Sequence, residues 1–325
     1  MQAIRRPRSG MRAVITALAG VLALGLAGCG STDDVAGGDA GITIPHAHGE
    51  TVVEGTPTKI IALGNQWLDT VQVLGVTPIA YIDNVATLAR TTPPWEPKSL
   101  ESAKALETGG NVAEQVAALE PDLILADAFI ADRQTYNQLS KIAPTLPALT
   151  DDAVTPWQDQ VTALGRVLNK QAEADKVIAE VNAKIDGIAR ANPGLREKTF
   201  VSSWLAGPTQ LMVLNDPEDG SGQVFTRLGM DIPENIKALP SNGGRAGLSP
   251  ERVDELTADL LIAGYSTGMD ERYRQLPGYA DLPSVRKNAV VFFDNVEISA
   301  VNQPTALSLP HILDKLEPAL VNAAK

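Results

Sequence analysis

The sequence predicts an α/β protein with two similar lobes joined by one long helix, and three observations support that fold class. Residues 112–126 and 249–263 repeat one pattern: a glutamate opens a short amphipathic helix, an aspartate follows eight positions later, and an apolar run of strand type comes next. Strands alternate with helices around both segments, which indicates central parallel sheets built from βαβ units. Between residues 155 and 192, apolar side chains recur at helical spacing.

The N-terminal residues have the pattern of a secretory signal. Four arginines precede the small apolar run 13–27, and Leu-Ala-Gly stands directly before Cys29, the only cysteine of the chain. This arrangement resembles the bacterial lipoprotein signal, so we expect residues 1–28 to be removed and Cys29 to carry lipid on the extracytoplasmic face of the cell membrane. A plain signal peptide with an incidental cysteine is the alternative. A membrane-spanning helix is disfavoured, because the apolar run is shorter than the ~20 residues it needs.

The remaining chain divides into a tether and a globular body. Residues 29–54 are rich in Gly, Ser, Asp and Thr and are predicted to form a flexible tether. Hydrophobic residues make up 44% of the 325 and charged residues 20%, as in globular proteins. The formal net charge of −12 becomes −16 without the four arginines, which does not suit nucleic acid. We therefore expect no nucleic-acid partner, and membrane contact through the lipid anchor alone.

The first lobe is predicted to span residues 55–154 and the second 193–325. In the first, apolar runs and helical periodicity predict strands at 59–63, 78–81 and 122–126, helices at 67–74 and 113–119, and an extended segment at 142–148. In the second, they predict strands at 199–204, 259–263 and 289–293, and helices at 222–228, 250–256 and 307–323.

An interlobe helix is predicted over residues 155–192. It begins at Thr155-Pro156, an N-cap followed by a proline at the first helical position, and it ends before Pro193-Gly194. A single helix of this length would extend for roughly 50 Å and could span both lobes. The alternative is two helices with a break near Lys170.

The sequence carries no motif of an enzyme or of a bound cofactor. It has neither the Gly-x-Ser-x-Gly nucleophile elbow nor a Walker or Gly-x-Gly-x-x-Gly phosphate loop. Of the three histidines, His46 and His48 fall in the predicted tether and His311 opens the last helix. A dedicated transition-metal site needs several converging ligands. We therefore expect no catalytic residues, no cofactor and no metal site.

Aromatic and basic residues after strands are the candidates for ligand binding. Aromatics make up only 4% of the chain, and ligands of open α/β sheets lie beyond the carboxyl ends of the strands. The combination suits a large ligand with apolar or π faces and some negative charge. The candidates are Trp67, Tyr81, Trp95, Phe129, Arg133, Trp204, Arg245, Tyr265, Arg272 and Asn302 with its neighbour Gln303.

The mature chain from about Gly55 to Ala323 resembles the iron–siderophore, haem or cobalamin substrate-binding lipoproteins of ABC importers. The resemblance rests on the lipoprotein signal, the Gly-Thr-Pro before the first strand, the two repeated segments, the proline-started helix and Leu-Pro-Gly-Tyr at 276–279. It implies two Rossmann-like lobes joined by one rigid helix, with the ligand in the cleft between them. It also implies a monomer.

In such proteins one glutamate on each lobe docks to the permease, and those positions match Glu114 and Glu251. A first-turn glutamate also favours the positive end of its helix, whatever it binds. The chain lacks a conspicuous basic cluster, so Arg245, with Arg133 or Arg272, is left to carry ligand charge. A ferric hydroxamate or mixed-ligand siderophore therefore suits this chain better than an anionic catecholate complex.

Two alternatives remain open from the sequence. A haem or corrinoid ligand would need an iron ligand in the cleft, for which Tyr81, Tyr265, Tyr273 and Met269 are available. A surface lipoprotein that binds a protein partner through a degenerate cleft is the second. An enzyme on the same scaffold is disfavoured by the missing nucleophile and metal ligands.

Overall fold

Two five-stranded sheets organise the described part of the chain, residues 41–325 of a computed structural model. The predicted signal peptide 1–28, the lipidation site Cys29 and most of the predicted tether lie outside these residues. Within residues 41–325, no helix is both long enough and apolar enough to cross a membrane.

The first sheet is parallel throughout, with strand order β5-β4-β3-β6-β7. Its strands are β3 (Ile60–Leu63), β4 (Ala80–Ile82), β5 (Lys104–Ala105), β6 (Leu123–Ala126) and β7 (Thr145–Leu146). Its helices are α1 (Asn65–Val73), α2 (Asn84–Ala89), α3 (Val112–Ala117) and α4 (Arg133–Leu139), with a 3-10 helix at Lys98–Ser102. Strands β3 and β6 are buried along their whole length, as their continuous apolar sequences predict.

The second sheet has strand order β10-β9-β8-β11-β12 and is mixed. Its strands are β8 (Phe200–Gly207), β9 (Gln210–Leu214), β10 (Arg245–Leu248), β11 (Leu260–Tyr265) and β12 (Val290–Phe293). Strands β8, β11 and β12 are parallel, whereas β8, β9 and β10 form an antiparallel ribbon. The prediction of a wholly parallel sheet is therefore wrong for this lobe, because β8 turns back directly at Pro208-Thr209 and no crossover helix intervenes.

Seven helices accompany the second sheet in the described chain, beside three 3-10 segments. The helices are α6 (Gln171–Ala191), α7 (Gln223–Arg227), α8 (Glu234–Lys237), α9 (Asp270–Arg274), α10 (Pro283–Arg286), α11 (Asn295–Asn302) and α12 (Ser308–Ala323). The 3-10 segments are Pro193–Leu195, Pro250–Leu256 and Tyr279–Asp281. The short helix predicted at 250–256 is thus present, but as 3-10 turns interrupted at Arg252.

The predicted continuous interlobe helix is two helices, α5 (Trp157–Val167) and α6. Asn169 adopts a left-handed conformation with φ 54°. The amide of Lys170 donates to the carbonyl of Gly165 at 2.7 Å, and the amide of Asn169 donates to that of Arg166 at 3.2 Å. This is a Schellman motif, which asparagine tolerates at the left-handed position. Helix α5 packs on α1 and β1, whereas α6 packs on α7 and α12, so the break divides the lobes.

The predicted tether is also wrong over its last third. Strands β1 (Ile42–His46) and β2 (Gly49–Val53) form an antiparallel hairpin. Alternating residues of the hairpin face the core, where Ile44 and Val53 are buried. The glycine-rich composition of this region conceals the alternation.

His46 and His48 are part of this hairpin and are not solvated tether residues. The ring Nδ1 of His46 accepts the amide of His48 at 3.1 Å, and its Nε2 lies 2.9 Å from the Thr51 hydroxyl. The Thr51 hydroxyl in turn donates to the carbonyl of Thr145 at 2.8 Å, which ties the hairpin to β7.

The repeated aspartates perform the same structural task in both lobes. Asp122 precedes β6, and its carboxylate accepts the amides of Thr58 and Lys59, both at 2.8 Å, just before β3. Asp259 precedes β11 and accepts the amide of Thr199 at 3.1 Å, just before β8. Each aspartate therefore fastens the start of its strand to the start of the neighbouring strand.

The lobes meet along α2 of the first and α11 of the second. A buried hydrogen bond crosses this interface, from the Thr305 hydroxyl to the Asp69 carboxylate at 2.6 Å. The ring of Trp95 also lies 5.6 Å from that of His311, at the start of α12. These contacts bring the carboxyl ends of both sheets to a common cleft.

Candidate functional site

A cavity of about 380 Å³ lies between the lobes, within the size range of small-molecule sites. The first lobe and the linker after it supply Phe129, Ala153 and Val154. The second lobe supplies the remaining lining, which is Ser202, Ser203, Trp204, Met212, Val213, Leu214, Asn242, Gly243, Arg245, Asn302 and Gln303. The cavity is thus built mostly on β8, β9 and β10.

One face of the antiparallel ribbon forms an apolar wall with a guanidinium at its edge. Trp204 pairs with Met212 across β8 and β9, and Leu214 pairs with Arg245 across β9 and β10. Since residues two apart share a face of a strand, these four side chains project from the same side. The indole Nε1 of Trp204 donates to the Ser266 hydroxyl at 3.2 Å, which orients the ring.

Arg245 is positioned by a two-residue turn. Gly243 and Gly244 have φ values of 56° and 70°, a left-handed pair that glycine adopts without strain. The amide of Asn242 donates to the carbonyl of Arg245 at 2.8 Å, closing the turn. Strand β10 therefore begins at Arg245, with the side chain directed over the ribbon.

The Arg245 guanidinium is held by buried oxygens. Its Nη2 lies 3.3 Å from the Asp219 carboxylate, 2.9 Å from the Ser221 hydroxyl and 3.3 Å from the carbonyl of Asn302. Its Nη1 donates to the carbonyl of Gly244 at 3.1 Å. The Asp219 side chain is only 3% exposed, so this is a buried ion pair in the cavity wall.

Phe129 lies in the loop after β6 and is 60% exposed, the largest exposed fraction among the large apolar side chains in the described chain. Exposure of a phenylalanine to water is unfavourable unless a ligand or partner covers it. Because it lines the cavity, a ligand bound there would cover it.

In the first lobe, a buried carboxylate occupies the place between the two central strands. Asp127 follows β6 directly and accepts the amides of Gln66 at 2.9 Å and Trp67 at 3.2 Å, in the first turn of α1. Burial raises the pKa of Asp127 to about 7, although both amide hydrogen bonds lower it. Gly64 has φ 106°, and a Cβ there would lie 2.3 Å from the Asp127 carboxylate. This strand end is therefore filled.

Two further carboxyl groups near the interlobe contact have raised pKa values. Burial raises the pKa of Asp69 to about 8, against the hydrogen bond from Thr305, and the nearby charge of Asp83 raises it further. Burial also raises the pKa of Glu96 to about 7, with a contribution from Asp83. These groups belong to the contact between the lobes and do not line the cavity.

Four of the ten predicted ligand residues line the cavity: Phe129, Trp204, Arg245 and Asn302, together with Gln303. The prediction for Trp67 is wrong. Its side chain is fully buried, because it shares the inward face of α1 with Val71, one helical turn away.

The other five predicted residues lie outside the cavity lining. Tyr81 and Trp95 are half-buried in the first lobe, and Trp95 packs against His311. Arg133 donates to the carbonyl of His48 at 3.1 Å, on the hairpin. Tyr265 lies 6.3 Å from the ring of Phe292. Arg272 lines a separate groove of about 590 Å³ on the second lobe.

The four residues considered as haem-iron ligands are also outside the cavity lining. Tyr81 and Tyr265 are placed as described above, and Met269 is half-buried against the core. Tyr273 is fully buried and its hydroxyl lies 2.6 Å from that of Ser203, so it cannot coordinate a ligand. Among residues 41–325, no three His, Cys, Asp or Glu side chains are grouped closely enough to hold a metal ion.

The sequence argument missed several lining residues and one residue behind the wall. Met212 lies on β9, which was not predicted, and Val154 lies in the linker before α5. Asp219 stands in the segment Asp219-Gly220-Ser221-Gly222, whose composition indicates a turn but not its partner Arg245. Only the tertiary fold brings these positions, 26 residues apart, together.

Both predicted docking glutamates are exposed. Glu114 is in the first turn of α3, where the Asn111 side chain caps its amide at 3.3 Å. Glu251 is in the first turn of the 3-10 segment after β10, where the Ser249 side chain caps its amide at 3.3 Å. The two surroundings are equivalent, as the repeat predicts. Glu251 also borders the groove that contains Arg272.

The sequence profile of a family described as "Periplasmic binding protein" matches residues 60–297, from β3 into α11 and thus across both lobes. This chain belongs to that family. The two-lobed α/β fold and the family resemblance drawn from the sequence are confirmed.

Other periplasmic binding proteins are similar over most of the chain. The Fe(3+)-citrate-binding protein YfmC of Bacillus subtilis is 25% identical over 250 residues, covering 74% of this chain and 75% of that protein. The ferric-anguibactin-binding protein FatB of Vibrio anguillarum is 29% identical over 290 residues, covering 85% and 86%. The crystal structure of a periplasmic solute binding protein from Mycobacterium smegmatis superposes with a TM-score of 0.74 at 26% identity, covering 88% of this chain and all of that one.

Proposed function

We propose that this protein captures a ferric siderophore outside the cytoplasm and delivers it to the permease of an ABC importer. The observation that carries the proposal is the interlobe cavity in which Phe129, Trp204 and Arg245 come together. Two aromatic faces suit the apolar surface of an organic chelate, and the guanidinium suits its oxygen atoms.

The chemistry of the lining supports a ligand that brings its iron already chelated. Serine and asparagine side chains in the cavity can hydrogen-bond to chelate oxygens without displacing them from iron. The relatives named for binding ferric citrate and ferric anguibactin support the same class of ligand. In this proposal the protein performs no reaction, needs no cofactor and works as a monomer.

Delivery is proposed to use Glu114 and Glu251, one exposed carboxylate on each lobe at equivalent places. Proteins of this family work outside the cytoplasm, and a lipid on Cys29 would hold this one at the membrane surface. Arginines of the permease are the complementary partners for two such carboxylates.

Ligand binding is tested by tryptophan fluorescence of the full chain in mild detergent, titrated with ferric hydroxamate, ferric citrate, ferric catecholate and haem. We expect saturable quenching by a ferric chelate, and a loss of affinity of about tenfold or more in Trp204→Ala and in Arg245→Gln. Arg272→Gln is the matched control, because this arginine lies on the separate groove, and it should bind as the wild type does. Absence of quenching by every chelate would overturn the proposal.

Delivery is tested by iron uptake in cells that carry Glu114→Ala together with Glu251→Ala. We expect uptake to be lost while the purified double variant binds ligand normally. The control pair is Glu173→Ala with Glu317→Ala, which removes two exposed carboxylates from α6 and α12. Undiminished uptake by the docking variant would contradict the assigned role of the glutamates but not ligand capture.

A further inference from the structure

Arg245 is the only charged side chain among the residues that the structure shows lining the cavity. A lone guanidinium would favour an anionic ligand. This one, however, is within 3.3 Å of the Asp219 carboxylate, and Asp219 is almost wholly withdrawn from water. The ion pair therefore brings no net charge to the cavity wall.

Asp219 is held where it is. Its Oδ1 accepts the amide of Ser221 at 3.0 Å and also the Ser221 hydroxyl, which itself contacts Arg245. Gly220 beside it donates to the carbonyl of Val154 at 3.2 Å, which ties the loop to the linker between the lobes. A carboxylate with these contacts cannot turn toward water to release the arginine.

The remaining acceptors around Arg245 are also protein groups. Its Nη2 faces the carbonyl of Asn302 and its Nη1 the carbonyl of Gly244. A strongly anionic ligand would have to displace these contacts and leave a buried carboxylate without its counter-charge, which is costly. A ligand without net charge needs only hydrogen bonds, which Ser202, Asn242 and Gln303 can supply.

We propose that Asp219 determines the ligand charge that this site accepts, restricting it to ferric complexes of no net charge, of which a ferric tris-hydroxamate is the chemical type. Asp219 acts as a specificity-determining residue through Arg245 and does not touch the ligand. This inference rests on the proposed function of the cavity as a ferric-siderophore site.

The test varies ligand charge at constant chelate structure. Ferrioxamine B is a ferric tris-hydroxamate with a free ammonium group, its N-acetyl derivative is neutral, and its N-succinyl derivative is an anion. The affinities of all three for the full chain are measured by fluorescence quenching, with ferric citrate as a further anionic probe. The readout is the ratio of affinities for the succinyl and acetyl complexes.

For the wild type we expect the acetyl complex to bind at least as tightly as the succinyl complex. Asp219→Asn frees the charge of Arg245 and should shift the ratio about tenfold toward the succinyl complex. Arg245→Gln leaves the buried carboxylate alone and should shift preference the opposite way, toward ferrioxamine B. These opposite shifts distinguish charge selection from a general loss of structure, and thermal unfolding confirms that each variant is folded.

Asp186→Asn is the matched control. Asp186 forms a two-pronged ion pair with Arg227, at 2.7 and 2.8 Å, and neither residue lines the cavity. This variant raises the net charge by the same amount and should leave the ratio within about twofold of wild type.

An unchanged ratio in Asp219→Asn, or a wild type that prefers the succinyl complex or ferric citrate to the acetyl complex, would overturn this inference while leaving siderophore capture standing. Failure to bind any ferric chelate would overturn both.

Discussion

The two lobes use the same place in their sheets in opposite ways. In each, the strand order reverses between two central parallel strands, β3 and β6 in the first lobe and β8 and β11 in the second. Ligands of α/β proteins bind at such switch points. In the first lobe, α1 begins directly after β3, and Asp127 fills the crevice against its amides. In the second, β8 continues into a hairpin, and the crevice region becomes the wall of the cavity.

The difference shows what decides whether a switch point is available to a ligand. A helix that starts beside a strand presents unpaired amides, and something must satisfy them. A carboxylate from the same lobe satisfies them in the first lobe. The ribbon β8-β9-β10 already pairs its amides with its own carbonyls, so its side chains are free to face a ligand.

The largest effect is expected from closing the remaining space at the first lobe's filled strand end. Gly64→Ala would place a Cβ 2.3 Å from the Asp127 carboxylate, at a φ of 106°. We expect a loss of about 3 kcal/mol or more in the free energy of unfolding, measured by urea denaturation. Gly109→Ala is the control, because a Cβ there meets nothing within 4 Å. Equal stabilities would show that Asp127 can move away.

A pH effect should follow from the buried Asp69, whose pKa is about 8 in the folded protein and about 4 when unfolded. Because the folded state holds a proton that the unfolded state releases, this stabilising contribution is complete below about pH 4 and is lost as the pH rises through 8. The melting temperature should therefore fall by several degrees between pH 5 and pH 9. Asp69→Asn keeps an acceptor for Thr305 and should flatten that dependence. An unchanged slope would assign it to other groups.

A smaller effect, confined to binding, is expected at the exposed phenylalanine of the first lobe. Phe129→Ala should weaken ligand binding about tenfold and change the free energy of unfolding by less than about 0.5 kcal/mol, because the ring is covered only when ligand is bound. Leu88→Ala is the matched control, since Leu88 is 48% exposed in the same lobe and does not line the cavity. Equal affinities of wild type and Phe129→Ala would place the ligand on the second lobe alone.

The smallest effects are expected at the repeated aspartates, where the lobes agree. Asp122→Asn and Asp259→Asn each retain one oxygen and lose one acceptor, at a cost of about 1 kcal/mol in urea denaturation. Asp259 should cost somewhat more, because Lys198 and Lys287 also contact it at 3.4 and 3.0 Å. A larger cost at Asp122 would contradict the equivalence drawn from the structure.

Much of the fold follows from local sequence. The strands beginning at Ile60, Leu123 and Leu260 were predicted within one residue, because a buried parallel strand is a continuous apolar run with a breaker after it. The break at Asn169 and the hairpin before Val53 were not predicted. An asparagine in a left-handed cap and an alternation inside a glycine-rich stretch are weak signals in a single sequence.

The site was predictable only in part. Trp204 and Arg245 follow from their positions after a strand and in a glycine turn, but the same rule also selected Trp67, which is buried. Residue order specifies which side chains leave a strand end, not whether the next element turns them toward the core or the cleft.

By itself, the sequence determined that this chain has two repeated α/β lobes, with a glutamate and an aspartate at matching places in each, because helix and strand periodicity and short-range hydrogen bonds are local properties. Only the tertiary structure decided that Asp127 closes one switch point, that the hairpin of β8 and β9 opens the other, and that Asp219 pairs with Arg245. Those outcomes depend on which distant groups share a desolvated space, where an unpaired amide or charge is too costly to leave.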